Sequence, residues 1–506
     1  MLKDTTKSQL ETTASNIPVK VDTAFGRVHV KWDPDAPLTP MGQSVFFAQF
    51  LETSGLFQDW VGSCPIEYRS PNSPQIVNVL GTLMLSILAG HKRYAHITTL
   101  RSDQVIPPLF GMDKIVSEDS VRRAFCRGNE DQLLTWLRKH LQKTYFPLLD
   151  EPWILDLDTT IKLLYGNQEG ADVGYNPKKP GRPSHAFHSF FIGGIRLLLD
   201  TDVQPGSKWS GNYTQNRLWS FIDGLPKSKA PSLLRGDSGY GNQPFIKEAE
   251  ARGLLNCLLK LRQTRRVVKA IQMLSATDGE WESAGQGWEG RWSQVHLMGW
   301  SNSRPILILR RPHRKKRAKN KSSQEVLPGC ELVIDSSLYE YSVLVTNLNF
   351  GVEETAQLYR NRADAENPYD ELKNQWGWSG FVTQDIRRCR VIALIISLVY
   401  NWWSLYVRLT FGHQHTEAIT SRPLLLHTMA RQTSHSGQTQ ITLASTHAKS
   451  KQVQLAMRAV SKFLQNLQSN AEQLEPSAIW KRILEQIYRY YLRGRPLGST
   501  QFLTWV

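Results

Sequence analysis

The chain has 506 residues, 41% of them hydrophobic and 10% aromatic, which is too long for one ordinary core and implies two to four structural units. Its 61 Lys and Arg against 45 Asp and Glu leave a formal charge of +16, favouring a polyanionic partner, nucleic acid ahead of an anionic membrane surface. Cys64, Cys126, Cys257, Cys330 and Cys389 are odd in number and form no CxxC pair, which argues against a disulfide scaffold or a Cys zinc site and suits a reducing compartment.

Residues 1–40 open on MLKDTTKSQLETT, without an apolar signal-peptide core, and carry Pro34, Pro37 and Pro40; they read as a flexible arm. Residues 41–150 have helical apolar spacing and are expected to form a helical DNA-binding domain. The apolar run 76–89 is too short to cross a bilayer. Within this domain, Ser117-Glu-Asp-Ser120 opens a helix with Arg122 and Arg123 near its start. Two readings stay open for it: a recognition helix contacting DNA, or a capped surface helix.

From Trp153 onward, WILDLDTT, AFHSFFIGGIRLLLDTD, SLLRGDSG and NCLLKLR read as short strands. Helices are expected near 214–224 and 243–252, so this part reads as α/β with a central mixed sheet. Residues 264–348 read as a β-rich insertion domain, from segments such as RPILILRR and YSVLVTNL. The basic run 313–321 within it is either a solvated hairpin loop or a phosphate contact. Trp281, Trp288, Trp292 and Trp300 either pack the core of a small β unit or offer a platform for a flipped base.

Helix returns after 352. The run 391–409 is long enough to span a membrane, but Ser397, Asn401, Ser404 and Arg408 interrupt it, so a helix buried in a core is expected. The stretch 412–450 reads as partly irregular and 451–506 as a C-terminal helical region. No internal repeat is visible.

The densest chemical signal is Tyr359-Arg-Asn-Arg362-Ala-Asp-Ala-Glu366-Asn-Pro-Tyr-Asp-Glu-Leu-Lys373. On one continuous helix at 100° per residue, Tyr359, Glu366 and Lys373 drift by only about 20° per step, and Arg362 lies about 60° from Tyr359. A phenol, a guanidinium, a carboxylate and an ammonium would then share a stripe. Spacing alone leaves two readings, a solvated face of i,i+4 ion pairs or a functional face. Pro368 predicts a break or kink just after Glu366.

The spacing Tyr-x2-Arg-x3-Glu-x6-Lys resembles the signature of bacterial insertion-sequence transposases with a DDE catalytic domain. LDLDTT (155–160) resembles their first-acid strand and LRGDSGY (234–240) their second. YGNQEGADVGYNPKKPGRPSHAFHSF (165–190) is similar to a segment of the subgroup called transposase DDE group 1. The resemblance spans roughly 75–460.

It implies a ribonuclease-H-like mixed-sheet catalytic domain over 151–263 and 349–450. Asp158, Asp237 and Glu366 would be its catalytic acids, holding Mg²⁺, with Mn²⁺ as a substitute. Tyr359, Arg362 and Lys373 would hold the DNA end, with Arg182 on a DNA-facing loop. Strand spacing puts Asp156 and Asp158 on the same face and does not choose between them; the Asp-x-Thr pattern of the family favours Asp158. His185 and His188 lack a third ligand at metal spacing.

The function implied is binding of terminal inverted repeats, metal-dependent cleavage and transfer of the 3′ end to target DNA, by a homodimer in the cytoplasm at the nucleoid. A ribonuclease-H-like nuclease or resolvase would cut without joining. A DNA-binding protein with a dead acidic site is disfavoured by the presence of all three acids.

Overall fold

The structure is a computed structural model. It describes residues 18–497 apart from 34, 69, 177–178, 254–255, 313–337, 382, 413–414 and 470–474, and over 363–367 it describes the backbone alone. The basic run 313–321 and Cys330 therefore lie outside the described residues.

Part of the expected arm is ordered. Val19–Thr23 (β1) and Gly26–Val30 (β2) pair as an exposed antiparallel hairpin. Leu38–Thr39 (β3) joins a small sheet with Ala430–His435 and Gln438–Leu443, so the expected irregular stretch also contains strands. The first helical layer comprises Ser44–Ser54 (α1), Leu56–Gly62 (α2), Ile76–Leu88 (α3), Glu118–Arg127 (α4) and Glu130–Tyr145 (α5). Trp60 stacks on Trp136, with ring centroids 5.5 Å apart, and both are buried.

A ten-stranded mixed sheet follows. Its core is Ile154–Leu163 (β4), Pro183–Ile192 and Leu197–Pro205, an antiparallel set, with Leu233–Gly236 and Asn256–Lys260 parallel to β4. In chain order, Asp172–Val173 is β5 and the other four are β6 to β9. Glu282–Gly285 (β10), Trp288–Val295 (β11), Arg304–Pro312 (β12) and Tyr339–Thr346 (β13) complete it. The sheet order is β10-β11-β12-β13-β9-β8-β4-β6-β5, with β7 also on β6.

The strands of 264–348 thus continue the central sheet, since Leu344–Thr346 pair with Leu258–Lys260. The sequence gives the reason. Ile306, Leu307 and Ile308 are consecutive and all buried, so β12 is covered on both faces, as an inner strand must be. The segment also opens on a helix, Arg265–Ala276, whose Val267 and Ile271 turn inward.

The other helices flanking the sheet are Gln215–Asp223 (α6) and Gln243–Ala251 (α7), close to the predicted positions, so Arg265–Ala276 is α8. Val352–Arg360 (α9), Ala363–Asn374 (α10) and Ile386–Phe411 (α11) follow. Helix α11 is the one described helix long and apolar enough to cross a membrane, and 94% of its apolar window is buried in the fold. It packs against β7 and α5. Polar groups of its interruptions find partners there. Asn401 Nδ2 donates to Thr144 Oγ1 at 3.0 Å and to the Leu198 carbonyl at 2.8 Å, while its Oδ1 accepts from Leu198 N. Arg408 Nη2 donates to the Ile195 carbonyl. Buried polar groups paired in this way remove the cost of placing them in a core.

Candidate active site

The parallel pairing of β4 with β8 aligns Leu157 with Gly236. One residue further on, Asp158 on β4 and Asp237 just past β8 come side by side on strands spaced about 4.8 Å apart. Both line one polar cleft of about 870 Å³. Asp158 Oδ1 accepts from Thr159 N and Asp237 Oδ1 from Gly239 N, each at 2.8 Å. These backbone bonds hold the two carboxyl groups in place just beyond the last β4–β8 pair.

Asp156 has a different environment. It faces Arg235 across the β4–β8 register, and the guanidinium grips it with two bonds of 2.6 and 2.7 Å, both side chains being 1% exposed. Arg235 also donates to the Leu358 carbonyl at 2.6 Å, one of the carbonyls left without a partner at the end of α9. A Cβ at Gly193 would come within 2.8 Å of Arg235 Nη2 and 2.9 Å of Asp156 Oδ2, so the close approach of this pair requires glycine. Arg235 ties the sheet to α9, and sequence reasoning missed it. The available signal was a lone arginine inside a buried apolar strand, two residues before Asp237.

The signature residues do not lie on one continuous helix. Helix α9 ends at Arg360, with Asn361 as its C-cap, and Arg362 is the N-cap of α10. The helix breaks at 361–362, upstream of the kink expected at Pro368, and Pro368 sits inside α10. The last turn tightens there, Arg362 N bonding to the Tyr359 carbonyl at 3.0 Å. Tertiary contacts decide the position: Arg362 is buried, and its Nη2 lies 3.1 Å from Asp158 Oδ2. Lys373, at the far end of α10, donates to Thr160 Oγ1 on β4 at 3.1 Å. Burial opposes the charge on Arg362, but Asp158, then Tyr359, Asp237 and Asp156, outweigh it and raise its pKa above the ordinary arginine value.

Tyr359 and Arg362 line the cleft with Asp158 and Asp237. The side chain of Glu366 lies outside the described residues; its backbone is in α10, one turn past Arg362. Lys260, Arg311 and Arg360 also line the cleft and were not singled out from the sequence, because nothing local distinguishes them from other surface cations. Trp288 lines it too, with Arg311 4.7 Å over its ring, whereas Trp300 is buried.

Arg182 is exposed and lies 4.9 Å over the Tyr165 ring. Arg122 and Arg123 are exposed on α4, Arg122 over Tyr94 at 5.1 Å and Arg123 paired with Asp119 at 3.6 Å. Ser117 caps that helix through Ser120 N. His185 and His188 are buried, and each Nε2 donates to a backbone carbonyl, of Glu169 and of Lys208, at 2.8 Å.

Arg362→Ala is expected to lower stability by about 3 kcal/mol, the low end for a broken buried pair because Asp158 faces the cleft. The loss should be smaller in an Asp158→Asn background, with a coupling of about 0.5–3 kcal/mol in denaturant melts. Equal losses in both backgrounds would mean that the pair contributes nothing.

Residues 67–465 match the family model described as transposase DDE domain group 1. No curated protein matches the chain in sequence. A solved structure described as a cryo-EM structure of the piggyBac transposase synaptic complex with hairpin DNA is similar at 10% identity. The match covers 88% of this chain and 85% of that one with a TM-score of 0.36, too loose to carry an argument.

Proposed function

We propose, because this chain belongs to the transposase DDE domain group 1 family, that its cleft cuts DNA at terminal inverted repeats and joins the 3′ ends to target DNA. The observation that carries this reading is the separation of the two candidate first acids. Asp158 lines the cleft beside Asp237, while Asp156 is spent in a buried pair with Arg235. The run of antiparallel strands β7-β6-β4 followed by parallel β8 and β9, with Asp158 on β4 beside Asp237 just past β8, supports the ribonuclease-H-like reading.

Divalent metal fits the donors. Asp158 and Asp237 offer carboxylate oxygens in a polar cleft, the ligands Mg²⁺ and Mn²⁺ prefer, with Glu366 as the proposed third. Among the described residues no group of three His, Cys, Asp or Glu forms a site by itself, so the reading depends on Glu366. When bound, the ions supply activation of the attacking oxygen and stabilisation of the leaving one.

The chain's own residues do the rest. Arg362 holds Asp158 in place and neutralises part of the acid charge as a phosphate approaches. Lys260, Arg311 and Arg360 on the cleft walls orient the scissile strand through its phosphates. Tyr359 packs beside Arg362, 5.9 Å from the guanidinium to its ring, and steadies the DNA end. Lys373 positions α10 against β4 through Thr160. Two copies acting on two ends complete the proposal.

The test is incubation of the purified protein with Mg²⁺ and labelled duplexes carrying the repeats that flank its gene. Cut ends joined to a target plasmid are expected. Cutting without joined product would point to a nuclease or resolvase, and no cutting at any end would reject the reading.

Trp288→Ala is expected to reduce end processing about tenfold, with duplex binding unchanged, if a base stacks on this ring in the cleft. Gel shifts beside cleavage assays check it, and unchanged processing returns Trp288 to a packing role.

A further inference from the structure

A groove of about 620 Å³ opens beside the acid cleft and shares Ser238 with it. Arg262, Arg265 and Arg266 line it and are exposed, and no acidic side chain is among the described residues that line it. Arg262 Nε donates to the Ser238 carbonyl at 3.2 Å, one residue from Asp237. The groove therefore begins where the acid cleft ends.

Two features tell what would occupy it. The first is charge. Arg265 and Arg266 lie in the first turn of α8, with no acidic residue there, where the helix dipole already disfavours cations. The start of α7, Asn242 to Pro244, lines the same groove. An anion bound between them would relieve that repulsion. The second is an aromatic column. The Arg262 guanidinium lies 4.8 Å over the Trp209 ring, and Tyr175 packs on Trp209 at a tilt of 32° with centroids 4.7 Å apart. Tyr175 is 57% exposed. The column presents an aromatic surface beside a row of arginines. Duplex backbone needs the cations alone, whereas unpaired bases also need a π-surface.

We propose that this groove holds unpaired nucleotides of a DNA strand leaving the acid cleft, with a base on Tyr175 and phosphates on Arg265 and Arg266. The proposal rests on the transposase reading. It names a strand path separate from the cleft itself and from Trp288.

The experiment measures binding of a fluorescent oligothymidylate and of a blunt duplex to the full chain without metal, across salt. Tyr175→Ala is expected to weaken single-strand binding about tenfold and change duplex binding by less than about twofold. The Arg265→Ala/Arg266→Ala pair should make the single-strand salt slope shallower by about 1.4, at about 0.7 per phosphate. All these side chains are exposed, and thermal melts confirm that the variants fold. Unchanged single-strand affinity and slope, or equal losses for duplex and single strand, would overturn the proposal. Cleavage and joining by the wild-type chain are scored separately. Joining with normal Tyr175→Ala binding removes the groove and keeps the function. Tyr175-dependent single-strand binding without any cleavage keeps the groove and removes the function.

Discussion

Asp237→Asn is expected to lower metal-dependent DNA cleavage by at least about a thousand-fold while leaving folding stability within about 0.5 kcal/mol. The amide keeps the size of the side chain, and its Oδ1 can still accept the 2.8 Å bond from Gly239 N. The change removes a negative oxygen donor from the proposed metal set, worth several kcal/mol at about 1.4 kcal/mol per tenfold in rate. Cleavage assays with Mg²⁺ and Mn²⁺, beside a denaturant melt, separate the two effects. Cleavage within tenfold of wild type would remove Asp237 from the catalytic assignment.

Asp156→Ala should behave in the opposite way. It leaves the Arg235 guanidinium buried at 1% exposure without its carboxylate, a change that costs about 3–5 kcal/mol in comparable buried pairs. The variant is expected to melt at a clearly lower denaturant midpoint. Any loss of cleavage in the surviving folded fraction would come through Arg235, which also holds the Leu358 carbonyl at the end of α9. Replacing both partners by apolar residues, Asp156→Leu with Arg235→Met, should recover most of the stability, since the unpaired charge is then gone. An Asp156→Ala variant as stable as wild type, yet unable to cut DNA, would reverse the roles given to Asp156 and Asp158.

Several features were legible without coordinates because they depend on local pattern. Apolar runs at 153–160, 186–202, 232–239 and 256–262 read as strands and overlap the observed ones, and the charge of +16 pointed to a polyanion. The 391–409 run was readable as a core helix because its polar residues needed partners that a lipid phase lacks. The helix 265–276 was not anticipated, although its apolar residues turn inward at Val267 and Ile271, a helical spacing of four. Strand-like neighbours on both sides masked that periodicity.

The resemblance of sequence motifs to a family determined which residues were candidates: Asp156 or Asp158, Asp237, Glu366 and the cations of the Tyr-Arg-Glu-Lys signature. Strand spacing could not choose between two aspartates that share a face, because a period of two treats them alike, and only the Asp-x-Thr pattern favoured Asp158. Tertiary structure separates the two environments by placing Arg235 opposite Asp156 across the β4–β8 register, while Asp158 lines the cleft, and this supports the proposed role of Asp158. The break between α9 and α10 was decided the same way. Proline chemistry pointed to 368, but the chain bends at 361–362, where buried Arg362 meets Asp158 from a strand far away in sequence, a tertiary contact that no local helix preference can reveal.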